Sequence, residues 1–164
     1  MAVGSLNHPQ GFRRVIHRLP LGLYRVGLGG LLGHRFVLVH HVGRRSGQWR
    51  QVVVEVADMD RSTGAVTVMS GYGTGSDWYR NLLANPTARI QMGRHSVRAR
   101  AIPLTPDESG EVIYRYGQHH PLAVRSLLRF LGMPADGTEE AYRAAGHQIP
   151  GLRLEPCELR PDRE

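Results

Sequence analysis

The sequence predicts an α+β fold built on an antiparallel sheet that closes, or nearly closes, on itself, and three observations carry the prediction. Between positions 36 and 104 five apolar runs alternate with short turn clusters, the pattern of strands joined by hairpin-length connections. The string Thr105-Pro106-Asp107-Glu108 then opens a helical region, with threonine as cap, proline at the first position and glutamate at the third. A sixth run, 148–154, closes the pattern near the C-terminus.

Taken in order, the chain begins with a basic stretch over 10–33 in which Phe12, Val15, Ile16 and Leu19 repeat at helical spacing between Arg13, Arg14, His17 and Arg18. After Pro20 a second apolar piece, 21–32, carries Tyr24 and Arg25. The segment reads as an amphipathic helix over one end of the core; arginines flanking leucine and phenylalanine would equally suit a contact lying on a membrane surface. Residues 1–33 are therefore set apart from a main domain over 34–156, followed by a disordered tail over 157–164.

Within the main domain the period changes from helical to strand-like. The first strand is 36–42, interrupted only by His40 and His41, and the second is the valine-rich 52–57. Strands 65–69, 87–92 and 97–104 follow, separated by 58–64 and by Gly93-Arg94. A helix over 76–84 breaks the series, with Ser76 as N-cap and Asp77 in the first turn. It must end before Asn85-Pro86, because a residue preceding proline disfavours the α region. The helix opened by Thr105 runs through Val112, Ile113 and Tyr116, and another follows Pro121 through Leu122, Leu127, Leu128 and Leu131. The loop 132–137 leads to a short helix over 139–145.

Composition narrows the chemistry. At 164 residues and 18.3 kDa, with 41% apolar residues, the chain is long enough to bury one core. All 21 basic residues are arginine. Without a lysine there is no Schiff base, no pyridoxal-phosphate enzyme and no lysine-dependent phosphate loop. The net charge of +7 is dispersed in single and paired arginines, with no basic helix interleaved with aromatics and no zinc-finger spacing. Nucleic acid is thereby disfavoured against an anionic small molecule or anionic lipid. The single cysteine, Cys157, forbids an intrachain disulfide and fits a reducing cytoplasm. No continuous apolar leader or membrane span is visible in the N-terminal stretch.

Two segments could carry chemistry. The first is Gly43-Arg44-Arg45-Ser46-Gly47 with Arg50 beyond it. A tight glycine-bounded turn can direct backbone N–H groups at an anion, and guanidinium groups pair bidentately with phosphate. The second is Ser76-Asp77-Trp78-Tyr79-Arg80-Asn81, which follows the glycine-rich loop 71–75. Glycines there permit a flat ring system to approach the backbone. Together they suit a phosphorylated planar cofactor. The pairs His40-His41 and His119-His120 do not make a metal site, since successive strand residues point to opposite faces. No nucleophile-elbow sequence is present.

The combination of Gly-Arg-Arg-Ser-Gly…Arg, strand, turn, strand, Asp-Trp-Tyr-Arg-Asn-Leu-Leu-Ala-Asn-Pro and a Gly93 hairpin closely resembles the deazaflavin-dependent nitroreductase family, and the ending Ile149-Pro150…Leu154-Glu155-Pro156 resembles that family's last strand. The resemblance spans roughly residues 20–156. It implies a split β-barrel of about six antiparallel strands with peripheral helices, and an F420-dependent oxidoreductase that passes a hydride to a quinone, enone or nitro compound. It further implies that Arg44, Arg45, Ser46, Gly47 and Arg50 hold the phosphate and acidic tail of F420. Ser70, Gly71, Asp77 and Trp78 would flank the deazaflavin ring, with Asn81 supporting the helix. The family's tyrosine-rich stretch before the last strand is reduced here to Tyr142, the candidate proton donor. Two other readings remain open at this level. The arginine pairs would also suit the phosphate of FMN, and a non-catalytic barrel of this shape could bind a fatty acid or another hydrophobic ligand.

Overall fold

The computed structural model of the chain describes residues 33–157. The expected N-terminal helix and its membrane contact, and the tail from 158 onward, lie outside the described residues. Six strands, β1 (Phe36–Val42), β2 (Trp49–Met59), β3 (Val66–Met69), β4 (Thr87–Met92), β5 (His95–Pro103) and β6 (Gly151–Pro156), form a closed barrel. Their order around it is β1-β2-β3-β6-β5-β4, and every neighbouring pair is antiparallel. Helix α1 (Asp77–Ala84) crosses between β3 and β4; α2 (Pro106–His119), α3 (Pro121–Phe130) and α4 (Glu139–Ala145) fall between β5 and β6. This is the α+β antiparallel barrel with peripheral helices that the sequence predicts.

The barrel is filled by its own side chains. Val37 and Val39 of β1, Val66 and Val68 of β3 and Leu152 and Leu154 of β6 are fully buried, joined by Tyr79 and Leu82 of α1. Each such aliphatic side chain contributes about 1.5–3 kcal/mol on burial. A second core, made of Ile113, Val124, Leu128, Tyr142, Ala145 and Ile149, packs α2, α3 and α4 together.

Four strands, β2, β3, β5 and β6, run to bounds that differ from the sequence expectation. Strand β2 begins at Trp49 rather than 52, because β1 offers it partners down to the Val42–Trp49 pair. Strand β6 begins at Gly151 rather than 148: the amides of Gln148 and Ile149 both donate to Ala145 O, so the chain is still leaving α4 there. Ser76 occupies the N-cap position of α1 without capping it. Its hydroxyl lies 2.8 Å from Ser70 Oγ, which ties the loop back to the end of β3.

The capping box at Thr105 forms in full: Glu108 N donates to Thr105 Oγ1 and Thr105 N to Glu108 Oε2. Helices α2 and α4 touch at backbone distance, since a side chain on Gly146 would collide with the backbone of Gly110. Helix α2 is fastened to β2 by Arg115 against Asp58 at 3.0 Å and by the Tyr116 hydroxyl donating to Glu55 at 2.7 Å. Burial, and then the bond to Glu55, push the Tyr116 phenol well above its ordinary range.

Candidate functional site

The turn between β1 and β2 is held in shape by Gly43 N donating to Gln48 O and Gly47 N to Gly43 O, each at 2.8 Å. Gly47 sits at φ +65°, a left-handed conformation that glycine adopts without strain. Gly43 has a different reason to lack a side chain. A Cβ there would lie 2.7 Å from Ser46 Oγ and 2.9 Å from Arg50 Nε. Its absence lets the Ser46 hydroxyl and the Arg50 guanidinium fold over the turn, with Arg50 Nη2 3.5 Å from Ser46 Oγ.

Arg44 behaves differently from its neighbours. Its Nη1 donates to Asn81 Oδ1 at 2.8 Å and its Nη2 to Asp77 Oδ1 at 3.0 Å, while its backbone N–H reaches Asn81 Oδ1 at 3.1 Å. Asn81 is buried at 3% exposure, and its Nδ2 meets His41 Nδ1 at 3.3 Å. A single chain of contacts thus runs from α1 through Asn81 to the turn and to β1. Burial first, then the charge of Arg50 and then His40, holds His41 below the usual histidine range. A neutral ring accepting at Nδ1 is what the Asn81 amide requires. Arg45, Ser46 and Arg50 remain exposed on the outer side of the turn. Among the described residues Arg45 makes no ion pair or side-chain hydrogen bond, and nor do the backbone N–H groups of Arg45 and Ser46.

On the other side of α1, Ser70 is buried at the end of β3, its Oγ 2.7 Å from Gly73 O. Gly71 faces Leu127 of α3, where an added Cβ would meet the leucine at 3.5 Å. Trp78 is half-buried against the barrel core, edge-on to Tyr79 at 6.1 Å. The structure therefore gathers Arg44, Arg45, Ser46, Gly47, Arg50, Asp77 and Asn81 about one turn, with Ser70, Gly71 and Trp78 on the loop and helix beside it. Tyr142 is not brought to them. It is 2% exposed in the helical core, against Gly117 and tilted 6.5 Å from Tyr114.

Sequence reasoning missed His41 as a partner of Asn81, although the opposite facing of His40 and His41 is as expected. It also missed that Arg44 and Asp77 pair with each other. Neither contact has a local signal, since the partners are 33 to 40 residues apart.

The model of the F420H(2)-dependent quinone reductase family matches residues 23–123, and the chain belongs to that family. It is therefore an oxidoreductase with F420 as its cofactor, and the FMN alternative is set aside. Among solved structures the fold is shared with an F420-H2 dependent reductase, FDR-A, at 20% identity and a TM-score of 0.52, covering 75% of this chain and 96% of that one. It is shared also with Atu2129 of Agrobacterium tumefaciens, of unknown function (16% identity, TM-score 0.53, 94% and 59% covered). A conserved hypothetical protein of Mycobacterium tuberculosis, Rv2991, is similar at 14% identity and a TM-score of 0.50, with 81% and 79% covered. No curated protein sequence matches the chain.

The residues at the turn fit such a cofactor on their own terms. The cradle that a Cβ on Gly43 would fill is lined by a guanidinium and a hydroxyl. The carboxylate of Asp77 beside it is engaged by Arg44. A donor-rich, acid-free turn is the chemistry an acidic, phosphorylated ligand requires.

Proposed function

We propose that this chain reduces an electron-poor organic acceptor, a quinone first and an enone or nitro compound by the same electronic demand, and that the cofactor is held at the 43–50 turn and the face of α1. The observation that carries the site is the division of labour between adjacent arginines: Arg44 locks the turn to α1 through Asn81 and Asp77, while Arg45 and Arg50 stay available. In this reading Arg45, Arg50, the Ser46 hydroxyl and the turn amides, with Gly47 setting the turn, hold the phosphate and acidic tail. Arg44, Asp77 and Asn81 are positioning residues. Ser70, Gly71 and Trp78 bound the ring, with the Trp78 indole excluding water from one side.

When bound, reduced deazaflavin supplies a hydride from its C5. The chain contributes orientation and a fixed array of donors that need not reorganise. Tyr142, buried among α2 and α4, has no path to the acceptor in this arrangement, and its replacement by phenylalanine should leave turnover unchanged.

The test is a screen in which reduced F420 is mixed with the protein and with menadione, cyclohexenone or a nitroaromatic, following the return of the oxidised deazaflavin absorbance. Protein-dependent oxidation fastest with the quinone is the expected result. Oxidation no faster than without protein for every acceptor would overturn the acceptor assignment.

A further inference from the structure

A second concentration of positive charge lies on the outer wall of the barrel. One cross-strand row reads Gln51, His40, Arg89, Arg98 across β2, β1, β4 and β5, from the register pairs His40–Gln51, His40–Arg89 and Arg89–Arg98. Arg89 and Arg98 are thus direct antiparallel neighbours, an arrangement that repels. The row contains no carboxylate, and neither arginine forms an ion pair among the described residues. Both are exposed, and with His40, Trp49, Thr87 and Ala88 they line a concavity of about 450 Å³. Trp49 stands 64% exposed beside it. Gln51 Nε2 lies 3.2 Å from His40 Nδ1, and burial followed by the charge of Arg89 keeps His40 below the usual range. A neutral ring accepting at Nδ1 carries its proton on Nε2 as a further donor. Repelling forks, a ring donor and an exposed indole about a concavity lack only their anion.

We infer that this concavity is an anion pocket that binds a polycarboxylate, its carboxylates taken by the forks of Arg89 and Arg98 and its chain lying against Trp49. Two sources share that chemistry: a free polycarboxylate, and the acidic tail of the cofactor passing around the barrel rim. The second is within reach, because the Val42–Trp49 pair adjoins the 43–48 turn and the His40–Gln51 pair lies two residues further, about 7 Å along the strand.

Calorimetric titration with a γ-linked triglutamate tests the inference, on the wild type, on Arg89→Gln/Arg98→Gln and on Arg61→Gln. The wild type should bind one equivalent, and the double variant at least about tenfold more weakly, as expected for loss of charge-assisted bonds. Arg61→Gln, an exposed arginine on the β2–β3 turn and so a control for net charge, should bind the peptide as the wild type does. Parallel titrations use F420 and a deazaflavin lacking phosphate and tail. Weakening of F420 alone among these two in the double variant assigns the pocket to the cofactor's tail; F420 unchanged, with triglutamate lost, assigns it to a free polycarboxylate. Triglutamate binding that is absent from the wild type, or equal in the double variant, overturns the inference. Triglutamate bound with F420 unbound would instead contradict the proposed cofactor site and leave this pocket standing.

Discussion

Two adjacent arginines with the same side chain sit in opposite surroundings, and the difference is set by what lies within hydrogen-bond reach. Arg44 points at Asn81 and Asp77, whereas Arg45 points at solvent. Arg44→Ala and Asn81→Ala should consequently destabilise the fold, Asn81→Ala by about 1–3 kcal/mol because it leaves the part-buried Arg44 donors and the accepting Nδ1 of buried His41 without their partner; urea midpoints measure this. His41 adds a pH dependence of definite sign. Its native pKa is depressed below the unfolded value of 6.5, so its contribution to stability is complete above pH 6.5 and is lost as pH falls toward the native value. The urea midpoint should drop between pH 7.5 and 5.5, with a shallower drop in His41→Gln. An unchanged slope in that variant would assign the loss elsewhere. The sequence announces a basic turn but not which arginine is engaged, since Asn81 reaches it only through tertiary structure.

At the scale of elements, local chemistry was legible wherever it was complete within a few residues. The capping box at Thr105, the stop before Pro86 and the extents of β1, β4 and α4 follow from neighbours in sequence. Boundaries set by distant partners did not: β2 is lengthened by β1, and Ser76 is drawn from capping α1 by Ser70. The glycines of α2 and α4 belong to the same class. Gly110 and Gly146 look like poor helix residues in sequence, yet they let two helices meet at backbone distance. Gly146→Ala should force the helices apart and cost about 1–3 kcal/mol, as overpacking does, seen as a lowered thermal midpoint. A variant as stable as the wild type would show that the two helices shift without penalty.

For the whole molecule, the closed barrel anchors both strands that flank the 43–48 turn. Six strands without a free edge, filled by valine and leucine, hold β1 and β2 so that the turn between them projects at a fixed place. Alternating hydrophobicity made the sheet and its closure readable. The register that assembles Arg89, Arg98 and His40 in one row was not, because it depends on which strands become neighbours. The same dispersed charge predicts that F420 affinity falls steeply with ionic strength, since exposed arginines on a rigid rim are screened by salt. Titrations at low and at 0.5 M salt, about five times the ionic strength that sets a 10 Å Debye length, check this.

The most direct test of the account is a fluorescence titration of the protein with oxidised F420, comparing wild type, Arg45→Ala and Arg50→Ala at matched salt. The account predicts saturable binding by the wild type and at least about tenfold weaker binding by each variant, with folding unchanged by circular dichroism. Wild-type affinity retained in both variants would contradict it, and would place the cofactor away from the turn.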